Sequence, residues 1–375
     1  MTLQDVPAIE MPTSGFRRED FISPDIFEEE MERIFRNNWM YVAHTSQLAK
    51  PGDFVRHDLA GESVIVVRSR SGELRALYNF CTHRGAQLLE ETSGSCGRAI
   101  TCTYHGWTFD YDGELRSAPR MQPDFDKTPH GLKHAWVNTW NGLVFVSLAD
   151  ERPPSVAERL PDADFGEHQL ERAKVAVEYR TVIEANWKIV WENGGECYHC
   201  AINHPELGRV MSVTRTGASE SHSLVADYRF DRKFPLLEGM HTLTLDGQYR
   251  SKRLLGDPDS PPEGMRFLNW HSSIFELTAA ADHAHIQTFK PLSTTQTEVR
   301  LVLMVHADAV ENEDYDAEGI FELHRIARGQ DSGLCEKTQR GIGSRHYQPG
   351  PYNTVYEYSS QQFRHLYQQA MGQLR

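Results

Sequence analysis

Cys81-Thr82-His83-Arg84-Gly85-Ala86-Gln87-Leu88 and, after eighteen residues counted from His83, Cys102-Thr103-Tyr104-His105-Gly106-Trp107 decide how this chain is read. Each pair follows a run of β character, so each reads as a loop at a strand end that offers one thiolate and one imidazole to a common centre. Two thiolates and two imidazoles complete a four-ligand set, which structural zinc also accepts. Zinc fingers, however, usually pair Cys with Cys and His with His, whereas each loop here supplies one of each. The mixed arrangement suits a [2Fe–2S] cluster held by two cysteines on one iron and two histidines on the other. Such a cluster has a raised potential relative to an all-cysteine one and relays single electrons.

The rest of the composition sets bounds on what surrounds these loops. The chain has 375 residues, 39 basic against 53 acidic side chains, a net charge of −14, six cysteines and eighteen histidines. The length suits a large single fold or two domains. The acidic balance argues against nucleic acid as a partner, because phosphate binding needs a basic footprint. The longest apolar stretch, Gly142–Ala149, is far too short to span a bilayer, and no basic head or apolar run marks a signal peptide at the start. A cytoplasmic location with reduced or metal-bound cysteines is the expectation. Cys96, between the loops, matches no ligand position, and Cys335 stands apart.

Along the chain, Ser23 as N-cap and Pro24 in the first turn predict a helix running to Trp39, with Ile26, Phe27, Met31, Ile34 and Phe35 near a 3.6-residue period. Short β-like runs follow, clearest at Val64–Arg68, Leu74–Phe80, Thr101–Tyr111 and Leu143–Leu148. The acidic, proline-bearing stretch Asp150–Asp164 reads as a linker. Beyond it, Val225–Phe230, Phe267–Leu277, Ala284–Pro291 and Glu298–His306 read as antiparallel strands, and Ala317–Arg340 and Ser360–Gln373 as helices. The class is α+β: an all-β domain inserted after the first helix into a domain with an antiparallel sheet flanked by helices.

A second concentration of chemistry lies at Trp191-Glu192-Asn193-Gly194-Gly195-Glu196-Cys197-Tyr198-His199-Cys200-Ala201-Ile202-Asn203-His204-Pro205. His199 and His204 are five apart, about 140° around an ideal helix, so one metal can take both only if the helix ends or distorts between them. Pro205 and the double glycine supply the irregularity. Cys197-x-x-Cys200 invites a redox or zinc reading, but no second such pair exists to complete a zinc set. Two histidines and a carboxylate would make the facial triad of non-haem iron(II), with open positions for oxygen and substrate. Spacing does not choose the carboxylate: Asp308, Asp314, Asp316 and Asp331 all remain open.

The strings CTHRGAQL and CTYHGWTFDYDGEL resemble the two cluster loops of Rieske proteins. A Rieske loop pair followed by E-N-x-x-E-C-Y-H-C-x-x-x-H-P-E-L resembles the large (α) subunit of Rieske non-haem iron oxygenases over nearly the whole chain, including Gln330–Gly341 and Tyr347–Tyr352. The resemblance implies Cys81, His83, Cys102 and His105 on the cluster and His199, His204 and Asp331 on the iron. It implies Glu196 as the acid that joins an iron-ligand histidine to a Rieske histidine of a neighbouring subunit, hence a homotrimer. It also implies three parts: residues 1–40 as a helical part of the catalytic domain, 41–155 as the Rieske domain and 156–375 as the catalytic domain. Most ring-hydroxylating relatives carry aspartate at the bridging position. Glutamate there, with ECYHC and HPEL, is more similar to the branch that attacks betaine, carnitine and related quaternary amines.

The implied activity is a terminal oxygenase that inserts oxygen into a C–H bond, with oxidative N-demethylation of a small betaine-like substrate the leading expectation. O-demethylation or hydroxylation of an aromatic acid is the alternative within the class. An electron carrier without its own catalysis is one outside it, and a zinc-stabilised binding module another. No dinucleotide fingerprint follows a strand, so electrons would come from NAD(P)H through a separate flavin and iron–sulfur reductase. A quaternary ammonium would want aromatic faces. Trp270, Phe275, Tyr228 and Phe267 are the expected cage.

Overall fold

The computed structural model describes residues 11–212, 227–231 and 236–373. Two short helices, α1 (Arg18–Ile22) and α2 (Pro24–Glu30), open it, the second capped by the Ser23 hydroxyl and run on by a π-helical turn at Met31–Phe35. The helix therefore stops short of Trp39.

Strands β1 (Met40–His44), β2 (Asp53–Leu59), β3 (Glu62–Arg68), β4 (Leu74–Tyr78), β5 (Ser93–Ser95), β9 (His134–Trp140) and β10 (Leu143–Ser147) form an antiparallel sheet in the order β1-β10-β9-β4-β3-β2-β5. A small sheet of β6 (Ile100–Thr101), β7 (Thr108–Phe109) and β8 (Leu115–Ser117) sits beside it. The expected strand Thr101–Tyr111 is thus two short strands, because Cys102–Trp107 leaves the ladder to form a loop. The stretch read as a linker is packed rather than free: α3 (Val156–Arg159) lies within it, and Val156, Leu160 and Ala163 are buried.

The rest of the described chain holds a six-stranded antiparallel sheet, β11-β16-β15-β14-β13-β12. Its strands are β11 (Ala173–Ile183), β12 (Tyr228–Asp231), β13 (Arg266–Trp270), β14 (Phe275–Ala279), β15 (Ala284–Ser293) and β16 (Gln296–His306). The expected run Phe267–Leu277 is the β13–β14 hairpin, and two residues of the expected strand Val225–Phe230 lie outside the described residues. Strand β11, missed in the sequence, pairs along its whole length with β16. Among the described residues, this half also holds the α-helices α4 (Trp187–Gly195), α5 (Cys200–Asn203), α6 (Ala317–Ile342) and α7 (Tyr358–Ala370).

Strand alternation splits this sheet into two faces. Tyr228, Phe230, Leu268, Trp270, Phe275, Leu277, Ile286 and Val302 point to one side and share a core with Tyr41, Leu143 and Phe145 of the β-domain. Residues of the opposite parity, including Arg229, Phe267, Glu276, Thr278, His285 and Gln287, line a cavity on the other side, whose far wall includes residues of α6 and of the chain around α4 and α5.

The helices are tied together by one buried carboxylate. Glu30 accepts hydrogen bonds from Trp187 Nε1 (2.7 Å), Lys188 Nζ (2.5 Å) and Tyr367 OH (2.7 Å), joining α2, α4 and α7. Glu30 and Lys188 are both fully buried, and burial depresses the Lys188 ammonium even though Glu30 opposes that shift. Glu30→Gln leaves an unpaired buried cation and should cost about 3–5 kcal/mol in chemical denaturation, whereas the double variant with Lys188→Met should recover part of that loss.

Candidate active site

The two Cys–His loops have the same backbone geometry. Cys81 N–H donates to Ala86 O (2.7 Å) and Gly85 N–H to Cys81 O (2.8 Å). Cys102 N–H donates to Trp107 O (2.8 Å) and Gly106 N–H to Cys102 O (3.0 Å). Gly85 and Gly106 take φ of 77° and 76°, a left-handed turn that a side chain would strain. The repeated turn brings both cysteines inside and leaves His105 exposed at the tip beside Tyr104. The ring centroids of His83 and His105 are 4.7 Å apart, and Trp107 stacks on His83 at 10°. Burial pushes the Cys81 thiol up, with Cys102 hydrogen-bonded to it acting in the same sense. His83 Nδ1 is buried with no hydrogen-bond partner. Two inward thiols and two converging imidazoles fit a [2Fe–2S] group with mixed ligands.

At the second site the sequence breaks the helix where the geometry needs it broken. Helix α4 ends at Gly195, Glu196 is extended, and the chain turns through His199 into α5 before His204 leaves it. Glu196 therefore shares no helical face with His199; the turn makes the contact instead. His199 Nδ1 lies 2.5 Å from Glu196 Oε1, and His204 Nδ1 lies 2.7 Å from Gln330 Oε1. From α6, Asp331 Oδ1 reaches His204 Nε2 at 2.9 Å and His199 Nε2 at 3.3 Å.

This geometry has a direct chemical consequence. Glu196 and Gln330 accept from the Nδ1 atoms, so in the neutral imidazoles the Nε2 lone pairs face a carboxylate oxygen. Three electron-pair donors converge on one point, and only protons or a cation can sit between them. Burial alone would depress the imidazoles, but Asp331 and Glu196 raise His199 to about 9, and Asp331 with Gln330 raises His204. Burial works against the Asp331 carboxylate too, yet the two imidazoles and Arg328 hold it well below the usual range. The set fits a two-histidine, one-carboxylate metal centre with each histidine steadied through its other nitrogen. Asp308, Asp314 and Asp316, left open by spacing, do not line this cavity.

Cys200 also lies close to the two histidines. Its sulfur is bonded to Cys197, so it offers no thiolate. The expectation of reduced thiols is corrected for this pair: the turn after α4 brings their Cα atoms to 4.9 Å, within disulfide reach. Cys81, Cys96, Cys102 and Cys335 are free.

The cavity next to the triad encloses about 180 Å³, less than the roughly 300–1,000 Å³ of pockets for drug-sized ligands. Of the four expected aromatic cage residues, Phe267 alone lines it. Tyr228, Trp270 and Phe275 are corrected to the core, because their strand parity points them to the other face. Trp270 Nε1 is spent on Asp227 at 2.9 Å and the Tyr228 hydroxyl accepts from Asp162 N–H at 3.1 Å. Arg229 lies over Phe267, 5.5 Å from its centroid.

Sequence reasoning passed over the polar lining: Glu276, His285, Gln287, His324 and Arg328. Polar side chains alternating with apolar ones at Asn269, Glu276, Thr278 and Gln287 were the available signal. Burial pushes the Glu276 carboxyl up to about 7. Asn269 Nδ2 donates to it at 3.0 Å, and a Cβ at Gly194 would stand 3.2 Å from Glu276 Oε1.

Each of the two sites lies within a stretch that matches a known family. Residues 38–141 match the Rieske [2Fe-2S] domain, and residues 170–373 match the catalytic domain of the ring hydroxylating alpha subunit. The glycine betaine monooxygenase oxygenase subunit of Chromohalobacter salexigens is 35% identical, over 93% of this chain and 84% of its own. The carnitine monooxygenase oxygenase subunit of Acinetobacter pittii is 30% identical, over 87% of this chain and 85% of its own. A solved quaternary ammonium Rieske monooxygenase superposes with a TM-score of 0.76 at 26% identity, covering 96% of this chain and 95% of that one. The chain belongs to the Rieske non-haem iron oxygenases as a ring-hydroxylating alpha subunit, an oxidoreductase with a Rieske domain and an iron-dependent catalytic domain.

Proposed function

We propose that this subunit removes an N-methyl group oxidatively from a small betaine-like quaternary ammonium compound, using O2 and electrons from a separate reductase. The observation that carries the substrate class is the buried Glu276 carboxyl in a small cavity beside His199, His204 and Asp331. The names of the relatives point the same way. An aromatic acid would favour an apolar sleeve, and a pure electron carrier would have no use for the second site.

When bound, the cluster on Cys81, His83, Cys102 and His105 supplies single electrons, and iron on His199, His204 and Asp331 supplies oxygen activation. The chain's own residues do the rest. Glu196 and Gln330 hold the Nδ1 protons and aim the ring lone pairs. Glu276 supplies the charge opposite the ammonium, and Phe267 an aromatic wall. One oxygen atom enters a methyl C–H bond and the other leaves as water with two electrons and two protons. The hydroxymethyl ammonium then falls apart to formaldehyde and the demethylated amine.

Glu196 bridges to a neighbour's Rieske tip in a homotrimer that we place in the cytoplasm. The support is surface character: Tyr104 on the tip and Tyr198 and Ile202 around Glu196 are exposed, Ile202 at 85%. Such apolar exposure is what a docking face presents.

With its reductase, the wild-type enzyme should carry about three irons per chain and release formaldehyde from glycine betaine in step with NAD(P)H consumption. His199→Ala should lose one iron and all formaldehyde while keeping the cluster's absorption and EPR signals; retained turnover would sink the iron assignment. Glu196→Gln should keep all three irons yet lose at least tenfold in turnover, and an active monomer in sedimentation would refute the bridge.

The pH profile tests Glu276. Asn269, Arg328 and Arg229 favour its charged form, while burial and Asp331 oppose it. Below about pH 7 the group is protonated and lacks the charge that holds the cation, so KM should fall about tenfold from pH 6 to pH 8. Glu276→Gln should flatten that profile at a high KM.

A further inference from the structure

The cavity holds a second charge that the proposed reaction has not used. Arg328 precedes Asp331 by three residues on α6, so the two lie on one face of the helix, about 4.5 Å apart along its axis. Its guanidinium stands 5.6 Å from the centroid of Phe289, and Nη2 donates to Gln287 Oε1. Its Nη1 is buried without a hydrogen-bond partner. Beside it, the rings of His285 and His324 have centroids 4.0 Å apart, and His285 Nδ1 and His324 Nε2 are likewise buried and unpartnered. Arg328, His285 and His324 all line the cavity. Buried polar atoms with no partner require an explanation, and here three residues that carry one line the same cavity as His199, His204 and Asp331.

Two ligand chemistries compete for them. His283, His285 and His324 have ring nitrogens within 4.8 Å of one another, and His283 Nδ1 is held at 2.9 Å by Asp282, a pattern that suits a divalent metal. Arg328 decides against the metal. Its fixed positive charge already bears on both His285 and His324, and the field that repels a dication attracts an anion. A guanidinium with a free N–H, flanked by an imidazole that can donate, matches a carboxylate.

We propose that Arg328, with His324 beside it, receives the carboxylate of a zwitterionic quaternary ammonium acid while the N-methyl group faces His199, His204 and Asp331. This rests on the quaternary ammonium reading above and narrows it. Receptor and iron ligand lie within one turn of the same helix and line one small cavity, so both ends of a small zwitterionic acid can be met at once.

The test uses the holoenzyme with its reductase and formaldehyde release as the readout, with glycine betaine as the acid and choline as the carboxylate-free comparator. Arg328→Gln should raise KM for glycine betaine at least tenfold with kcat changed less than threefold, and Arg328→Lys should restore part of it. The inhibition constant of choline against glycine betaine turnover, measured well above pH 7 so that Glu276 stays charged in both forms, should be the same in wild type and Arg328→Gln, since choline offers the receptor nothing. An unchanged KM for glycine betaine in Arg328→Gln, or an equal loss of choline binding, overturns the receptor. So does loss of a divalent metal from His324→Gln beyond the three irons, which would make the histidines a metal site. If the wild type releases no formaldehyde from any quaternary ammonium acid, the substrate reading itself has failed, a result distinct from a variant that simply keeps its KM.

Discussion

Trp187 Nε1, Lys188 Nζ and Tyr367 OH all converge on the carboxylate of Glu30, in a place that water does not reach. A buried charge without partners would be very costly, so these donors cannot be separated without exposing or orphaning the acid. The N-terminal helices, which precede the β-domain in sequence, are thereby fastened to the start of α4 and to the last helix. The other end of the constraint is Asn186, the N-cap of α4. Its N–H donates to Gln339 Oε1 on α6 at 2.8 Å, and its side chain holds Phe21 O at 3.0 Å and Thr294 O at 2.8 Å. Helices α4 and α6 are thus set against each other at the end of α4 away from His199 and His204, about two turns along α6 from Asp331.

Within that frame the metal centre depends on where α4 stops. A continued helix would place His199 and His204 on different sides of the axis. Ending it at the double glycine lets Glu196 swing back to His199 and lets Asp331 meet both rings. Gly194 has a further role: its missing Cβ leaves room for Glu276. The interruption that lets His199 and His204 meet Asp331 also opens the wall of the adjoining cavity.

Legibility in the sequence follows how local each feature is. The cluster loops were readable because all four ligands lie in two short strings, and the two histidines because a proline and a glycine pair announce the break between them. Asp331 was not readable from spacing, since 126 residues separate it from His204 and only resemblance to a family singled it out. The aromatic cage failed for a different reason. Tyr228, Trp270 and Phe275 were chosen for residue type, whereas position in a strand's two-residue period decides which face a side chain meets. Their neighbours Arg229, Asn269 and Glu276 occupy the cavity side because the aromatics occupy the core side. Strand β11, with charged and apolar residues interleaved, gave a weaker signal than the runs of its partner β16.

The cavity that results is unusual in how its charges are partnered. Glu276 and Arg328 stand in the same small, largely buried space, close enough for each to act on the other. In a medium of low dielectric two such groups would gain most by forming a direct ion pair. Instead Glu276 is held by the amide of Asn269, and Arg328 by the amide of Gln287. Neutral amides fix the orientation of each group without cancelling its charge. A ligand carrying one charge would satisfy one of them and leave the other as it was, while a ligand carrying both would complete the two at once. Preorganised opposite charges in one cavity are complementary to a zwitterion, and they need no rearrangement to accept it. Their placement is set by the β14–β15 pair and by α6, which the Asn186 contact holds in place, so the charges of the cavity and the position of Asp331 beside the two histidines rest on the same helix.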